Sequence, residues 1–355
     1  MCQQNLEKYI IPIPQNFTSY SFYNDFLPNL HNYCKEAFKS NLVLDLSQTK
    51  IIEPAVIPNL LCVGYVLNRL YPQTPAIYIP NTLAAIDLKR YLNEIGFVNF
   101  AETYKLFLFD ISIKGGWAGQ KMDKLNTTLF FDKSESESLS WSNMYNAIRF
   151  VKKYLNYYSD PVDNSNSIVN FSKEIVENSK IHGKSFSFMT IQYNYKREKV
   201  YLAYSDCGVG FFNSFESKRI EKEKELRKEL EKAKDAKEKK RIEKRIEELL
   251  SSKIANELEG IIKGVYMRFN EPYGLFNVIQ KALTKGGIVR IHSNDTQVVF
   301  TENTSLLLNV AEDALSLNKL IDSVSPRNIR RNIKFPGVHI EIELPLRKSE
   351  VYRNV

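Results

Sequence analysis

Residues 171–183 read Phe-Ser-Lys-Glu-Ile-Val-Glu-Asn-Ser-Lys-Ile-His-Gly and residues 205–211 read Ser-Asp-Cys-Gly-Val-Gly-Phe, and the stretch that they bound decides the fold. In its first half Glu174, Asn178 and His182 recur every four residues. Because residues four apart share a helix face, this spacing predicts a helix that presents a carboxylate, an amide and an imidazole in one direction.

The second half of the stretch predicts an antiparallel hairpin. Residues 186–195 and 200–205 alternate polar and apolar side chains on either side of a charged turn. The second strand would end at Asp206, which is followed by Gly208 and Gly210. An aspartate at a strand end can accept a hydrogen bond from an amine, and glycines let the backbone bend closely around a ligand.

A helix with Glu-x-x-x-Asn beside a strand that ends in Asp-x-Gly-x-Gly resembles the ATP-binding fold of the GHKL superfamily, which includes gyrase B, histidine kinases and mismatch-repair ATPases. The resemblance implies that Glu174 is the general base and that Asn178 binds the nucleotide and Mg²⁺, a hard cation that prefers oxygen ligands. Asp206 would accept from the adenine amine, and the two glycines after it would bind the nucleotide and form the hinge of a lid. The family often has a histidine at the position of His182, which adds it to the nucleotide-binding set; a packed or solvated helix histidine would have the same sequence pattern.

A second glycine motif precedes a helix predicted over 273–284. Residues 272–275 read Pro-Tyr-Gly-Leu, and the resemblance implies that Gly274 and Leu275 bind the nucleotide, with the helix N-terminus holding phosphate oxygens. The family has Gly-x-Gly at this point. With one glycine left, phosphate contact or lid motion would differ in this chain.

Strands predicted over 288–293 and 335–346 would complete the sheet. The second reads Phe-Pro-Gly-Val-His-Ile-Glu-Ile-Glu-Leu-Pro-Leu. The family usually has threonine after this glycine, for a water-mediated adenine contact. The side chain of Val338 can neither donate nor accept, so this contact is lost.

Residues 216–258 contain neither glycine nor proline and are mostly lysine, glutamate and arginine. This composition is typical of a long helix or coiled coil, and its narrow apolar stripe suits a seam between two helices. The stripe lapses over 233–240, which favours an antiparallel helical hairpin over one continuous helix. By resemblance, the segment is an insertion in the ATP lid.

The N-terminal part alternates helices and strands, which predicts an α/β layer. Residues 44–47 read Leu-Asp-Leu-Ser before a helix, which resembles a STAS-type domain, the fold of anti-sigma-factor antagonists; a generic α/β domain explains the pattern equally well. Residues 52–55 read Ile-Glu-Pro-Ala and hold no acceptor serine for a phosphorylation switch. The predicted elements are an edge strand over 9–14, a helix over 30–40, a strand over 41–46, a helix over 54–70, a strand over 76–79 and a helix over 81–95.

The predicted fold class is therefore α/β throughout. A STAS-like domain over 1–118 and a linker over 119–140 would precede a GHKL two-layer sandwich over 141–348, with the lid insertion over 216–258. A short strand over 128–131 lies inside the linker, and a helix over 142–158 leads into the Glu174 helix.

Composition narrows the class of protein. The chain has 355 residues of which 43% are hydrophobic, enough for two ordinary cores. Its four cysteines lie far apart in sequence and indicate neither a zinc site nor a disulfide framework. Without a signal peptide or an apolar run of roughly 20 residues, a soluble cytoplasmic protein is predicted, with no membrane partner. The net charge of +8 is spread among mixed acids and bases, which argues against nucleic acid as the main ligand.

The resemblance thus predicts an ATP- and Mg²⁺-binding switch that hydrolyses ATP slowly. It would engage a protein partner or a second copy of the chain through the lid helices and the N-terminal domain. Two alternatives share every site residue, namely a protein serine kinase of the anti-sigma-factor type and a non-catalytic ATP-binding scaffold. The sequence does not choose among them, because water and a serine hydroxyl use the same base and metal.

Overall fold

The structure, a computed structural model, describes residues 7–37, 40–109, 126–131, 186–194, 199–266, 275–302 and 324–345. In these ranges the chain forms a parallel sheet and an antiparallel sheet with helices packed on them. The predicted mixed α/β class is confirmed. No helix of the described part is long and apolar enough to cross a membrane.

The N-terminal unit is built on a four-stranded parallel sheet of order β1-β3-β5-β6, beside a short β2-β4 ladder. Its strands are β1 (Lys8–Pro12), β2 (Asn16–Phe17), β3 (Asn41–Asp45), β4 (Ile51–Ile52), β5 (Ala76–Tyr78) and β6 (Leu108–Phe109). Its first helix, α1, is a continuous run of α and π turns made of Ser19–Ser21, Phe22–Phe26, Leu27–Asn32 and Tyr33–Ala37. The other helices are α2 (Val56–Leu70), α3 (Ile86–Glu94), which follows a 3-10 turn at Leu83–Ala85, and α4 (Phe97–Thr103).

The second sheet has seven strands in the order β12-β11-β10-β13-β9-β8-β7, and every neighbouring pair is antiparallel. Its strands are β7 (Asn126–Phe131), β8 (Ser187–Asn194), β9 (Lys199–Asp206), β10 (Ile288–Ser293), β11 (Thr296–Phe300), β12 (Ile329–Arg331, after a 3-10 turn at Pro326–Asn328) and β13 (Val338–Pro345). The helices of this half are α5 (Gly210–Lys232), α6 (Ala236–Ser251), α7 (Glu257–Tyr266) and α8 (Leu275–Thr284).

Most predicted elements match these bounds within a few residues, but the helix predicted over 30–40 begins far earlier, at Ser19. Thr18 caps it, because its side chain accepts from the backbone N–H of Ser21 and the Ser21 side chain accepts in return. The helix predicted over 81–95 ends before Gly96, whose φ of 83° is the left-handed geometry of a helix stop. The strand expected over 128–131 is β7, so the antiparallel sheet begins before residue 141. Helices α4 and α7 and strands β2, β4, β6, β11 and β12 were not predicted. The helix predicted over 142–158 and the helix predicted to carry Glu174 lie outside the described residues.

One face of the antiparallel sheet carries α7 and α8. Alternate residues of β9, namely Val200, Leu202 and Tyr204, point into this core with side chains from both helices. Asp206 follows in the same alternation, so its carboxylate lies on the helix-covered face at the end of the strand.

The other face of the antiparallel sheet is covered by the N-terminal unit, with α2 lying against β8 and β9. Asn59 on α2 is fully buried; its amide nitrogen lies 3.4 Å from Glu341 Oε1, and its oxygen accepts from the Ser205 hydroxyl. Two turns along α2, the ring of Tyr65 meets Phe186 at 4.6 Å between centroids. The two units therefore share a packed and hydrogen-bonded interface.

Charged and aromatic side chains complete this interface. The Arg290 guanidinium lies 2.7 Å from Glu343 and 3.8 Å from Glu341. Burial raises the pKa of Glu341, and Arg290 opposes that shift. The ring of His292 lies 4.9 Å from that of Tyr23 of α1, and burial lowers the His292 pKa to about 4.

Helices α5 and α6 form an antiparallel hairpin, as predicted, which we call the arm. Its seam buries Leu226, Ala233, Ile242 and Ile246, and Arg245 bridges the helices to Glu229 at 3.3 Å. With 23 residues, α5 is about 34 Å long. The arm starts earlier than residue 216, because α5 begins at Gly210 itself.

Candidate functional site

The carboxylate of Asp206 is held in place at the end of β9. It is 4% exposed. Its Oδ1 accepts from the backbone N–H of Gly208 at 2.8 Å and of Val338 at 3.1 Å. Its Oδ2 accepts from the Tyr204 hydroxyl at 3.1 Å. Since a carboxylate oxygen can accept two hydrogen bonds, Oδ2 has capacity for one more donor, which suits an exocyclic amine.

Burial raises the pKa of Asp206 from its ordinary value of 3.8 to about 6, and the hydrogen bonds from Gly208, Val338 and Tyr204 oppose that rise. The desolvation of the charged form therefore outweighs three hydrogen bonds that favour it. At neutral pH the group is still mostly ionised, so both of its oxygens can accept hydrogen bonds.

This shift gives a signed pH prediction for stability. Because the folded pKa is raised, the folded chain binds a proton between pH 4 and 6 that the unfolded chain has lost. The contribution of Asp206 is thus most favourable below pH 4 and falls by about 3 kcal/mol as the pH rises through about 6. We expect the difference in unfolding free energy between the native protein and Asp206→Asn, both measured in urea, to fall by about 3 kcal/mol between pH 4 and 7.

Taking the difference from Asp206→Asn is necessary because the buried His292 and His339 titrate in the opposite direction. Burial lowers both histidine pKa values, so their contribution to stability grows as the pH rises. A wild-type-minus-variant difference that stays constant between pH 4 and 7 would show that the Asp206 pKa is ordinary in the folded protein.

The start of β13 fits closely against the end of β9. Gly337 has a φ of 99°, and a Cβ at this position would overlap the backbone oxygen of Asp206. The next residue, Val338, gives its backbone N–H to the Asp206 carboxylate. The prediction considered only the apolar side chain of Val338, whereas the backbone N–H of Val338 makes the polar contact.

The glycines after Asp206 join the strand to the arm. Gly208 closes a tight turn onto the aspartate, and Gly210 starts α5 with a φ of 79°. A side chain at Gly210 would collide with that of Asn294. The first turn of the arm is therefore fixed against the turn between β10 and β11.

A buried carboxylate that the sequence did not reveal connects these elements. Glu257, the first residue of α7, is 7% exposed. Its Oε2 accepts from the Phe212 backbone N–H at 3.2 Å and from the Ser293 hydroxyl at 2.6 Å, and its Oε1 accepts from the Asn294 amide at 2.5 Å. We call these four residues, Phe212, Glu257, Ser293 and Asn294, the Glu257 network.

Asn294 extends the network to both motifs of the site. Its side-chain nitrogen donates to the Val209 carbonyl at 2.8 Å, and its Oδ1 accepts from the Gly337 N–H at 3.1 Å. The residue adopts φ 49°, which asparagine tolerates in turns. The only sequence signal was the Ser-Asn-Asp turn between two apolar runs, and nothing separated Glu257 from the other glutamates of its charged segment.

A cleft of about 710 Å³ opens beside the network. Its wall combines the glycine motif, the base of the arm, the start of α7 and the strand β12, and includes Gly208, Val209, Phe212, Asn256, Asn294 and Arg331. The residues that line this cleft do not include Asp206; the cleft reaches it through Gly208, whose N–H donates to the Asp206 carboxylate.

The predicted site residues fall into two groups. Asp206, Gly208 and Gly210 lie together as described, and Leu275 is buried at the start of α8 in the core beneath the sheet. The other candidates lie outside the described residues: Glu174, Asn178, His182 and Gly274. Within the described ranges, no group of three or more histidine, cysteine, aspartate or glutamate side chains is placed to hold a metal ion.

Comparisons of the chain with protein-family profiles, with curated proteins and with solved structures returned no match.

Proposed function

We propose that the chain is a cytoplasmic ATP- and Mg²⁺-binding switch of the GHKL type, with a STAS-like N-terminal unit and the arm in place of a simple lid. In this proposal Asp206 accepts from the adenine amine, Asn178 holds Mg²⁺ and Glu174 activates water for slow hydrolysis. ATP would close the lid that begins at Gly208 onto the γ-phosphate, and the arm would present that state to a protein partner or a second copy.

The observation that carries the proposal is the placement of Asp206. Two separate sequence motifs, Asp-x-Gly-x-Gly and Phe-Pro-Gly-Val, meet at one carboxylate, because Gly208 and Val338 both donate to its Oδ1. Those bonds fix the rotamer and leave Oδ2 to receive a further donor. A buried acceptor with a fixed direction is what selective binding of an amine requires.

Asp206→Asn tests this role with little change in shape. The asparagine oxygen can still accept from Gly208 and Val338, and its nitrogen can donate to the Tyr204 hydroxyl. That nitrogen would then face the adenine amine, donor against donor. We expect ATP affinity to fall about 5- to 150-fold, the equivalent of 1 to 3 kcal/mol. Calorimetric titration with ATP and Mg²⁺ measures it.

Asp87→Asn is the matched control, because Asp87 on α3 has a side chain that is 92% exposed. It should bind ATP like the native chain. Equal ATP affinity in the native chain, the control and Asp206→Asn would show that Asp206 does not accept from the adenine amine. If the native chain does not bind ATP at all, the proposed function is wrong.

A further inference from the structure

Two cysteines that lie 145 residues apart in sequence meet beside Asp206. Cys62 lies on α2, one turn after Asn59, and Cys207 directly follows Asp206. The Cys207 thiol donates to the Cys62 carbonyl oxygen at 3.7 Å, and both side chains pack in the core of the N-terminal unit. Both are free thiols in the structure.

We propose that Cys62 and Cys207 form an oxidation site, at which a small-molecule disulfide converts the two thiols into an intramolecular disulfide that fastens the N-terminal unit to the glycine motif. The Cys207 thiol already lies against the backbone of Cys62, and a disulfide joins side chains whose Cα atoms lie within about 7 Å. Helix α2 is held in register by Asn59 at one side of the pair and by Tyr65 at the other.

The exposure of the two thiols determines which of them reacts first with the small disulfide. Cys207 is half-exposed, whereas Cys62 is buried and burial raises its pKa well above the ordinary value. The Cys207 thiolate therefore attacks the small disulfide first, forming a mixed disulfide and releasing one small thiol. The Cys62 thiolate then attacks the Cys207 sulfur and displaces the second small thiol. The two protons lost by the cysteines are taken up by the two released thiolates, and the small disulfide is reduced by two electrons.

The consequence for nucleotide rests on the proposed function. Cys207 stands between the adenine acceptor and Gly208, so a bond from it to α2 would restrain the turn that must adjust when ATP enters or leaves. We expect the oxidised protein to exchange a fluorescent ATP analogue more slowly than the reduced protein.

The test is oxidation of the full folded chain with oxidised glutathione, followed by peptide mass mapping without reductant. We expect a cross-linked peptide that joins Cys62 to Cys207 in the native chain and in Cys34→Ser. Cys34 is the matched control, since it is a half-buried thiol elsewhere in the N-terminal core. The cross-link should be absent from Cys62→Ser, and Cys207 of that variant should carry glutathione instead.

Glutathione retained on Cys207 of the native chain, without the cross-link, would overturn the proposal, as would a pair that reacts only after unfolding in urea. The cross-link is scored in the absence of ATP, so it can form even if the chain binds no nucleotide. A cross-linked protein with unchanged ATP exchange would refute the coupling to nucleotide and leave the oxidation site standing.

Discussion

Replacing Glu174 with alanine should slow ATP turnover by about 10²- to 10⁴-fold while leaving ATP affinity nearly unchanged. This is the range for loss of a general base, since the base acts on the attacking water and contributes little to holding the nucleotide. The expectation comes from the resemblance to GHKL proteins, which implies that Glu174, four residues before Asn178, is the general base. Phosphate release at saturating ATP, beside a direct binding titration, measures both quantities.

Glu177→Ala is the control for this prediction. Glu177 is adjacent to Asn178 in sequence, so on a helix it points about 100° away from the asparagine. Turnover that survives in Glu174→Ala and disappears in Glu177→Ala would reverse the assignment. With γ-labelled ATP and candidate partner proteins, the same assay separates the alternatives: free phosphate marks an ATPase, labelled protein marks a kinase, and neither product marks a scaffold.

The local motifs of this chain were readable from sequence because each depends on near neighbours. Alternating side chains predicted β8 and β9, a glycine turn and the resemblance to the family's sheet predicted β10 and β13, and Asp206 was found because the glycines that shape its surroundings follow within four residues. The Glu257 network was not readable. Its four residues are joined by contacts across 36 to 45 residues of sequence, and a glutamate that caps a helix from a distance resembles any other glutamate in a charged run.

The interface between the two units was also hidden in the sequence. The polar residues of β9, β10 and β13, including Ser205, Arg290 and Glu341, suggest a solvent-facing side of the sheet. In the structure that side meets α1 and α2, and Asn59 of α2 pairs with both Ser205 and Glu341 across the interface. Pairing explains why charged residues are found under the N-terminal unit, because a buried charge is tolerated when a partner compensates it.

The base of the arm belongs to the site, whereas its outer part does not. At the base, Phe211 packs on Gly264 and the Phe212 N–H donates to Glu257. Arg219 is held between Glu216 and Glu223 at 3.0 and 3.2 Å. Beyond Glu223, the buried apolar residues of the arm form a cluster of their own, the seam of Leu226 and its neighbours, which among the described residues is separate from both main cores.

This division predicts the outcome of shortening the arm. Replacing residues 224–249 with a short Gly/Ser linker keeps the Arg219 ion pairs and the Glu257 network, so ATP affinity should stay within about twofold of the native value. The outer part of the arm, whose apolar residues form a small cluster of their own, is costly to order unless something binds it. We therefore expect the excision to abolish ATP-dependent self-association or partner capture, measured by light scattering and pull-down with and without a non-hydrolysable ATP analogue.

Leu226→Ala, which opens the seam while keeping the arm, should weaken association without abolishing it. Lost ATP binding with intact association in the excised chain would show that the outer arm is part of the nucleotide site and does not report its state.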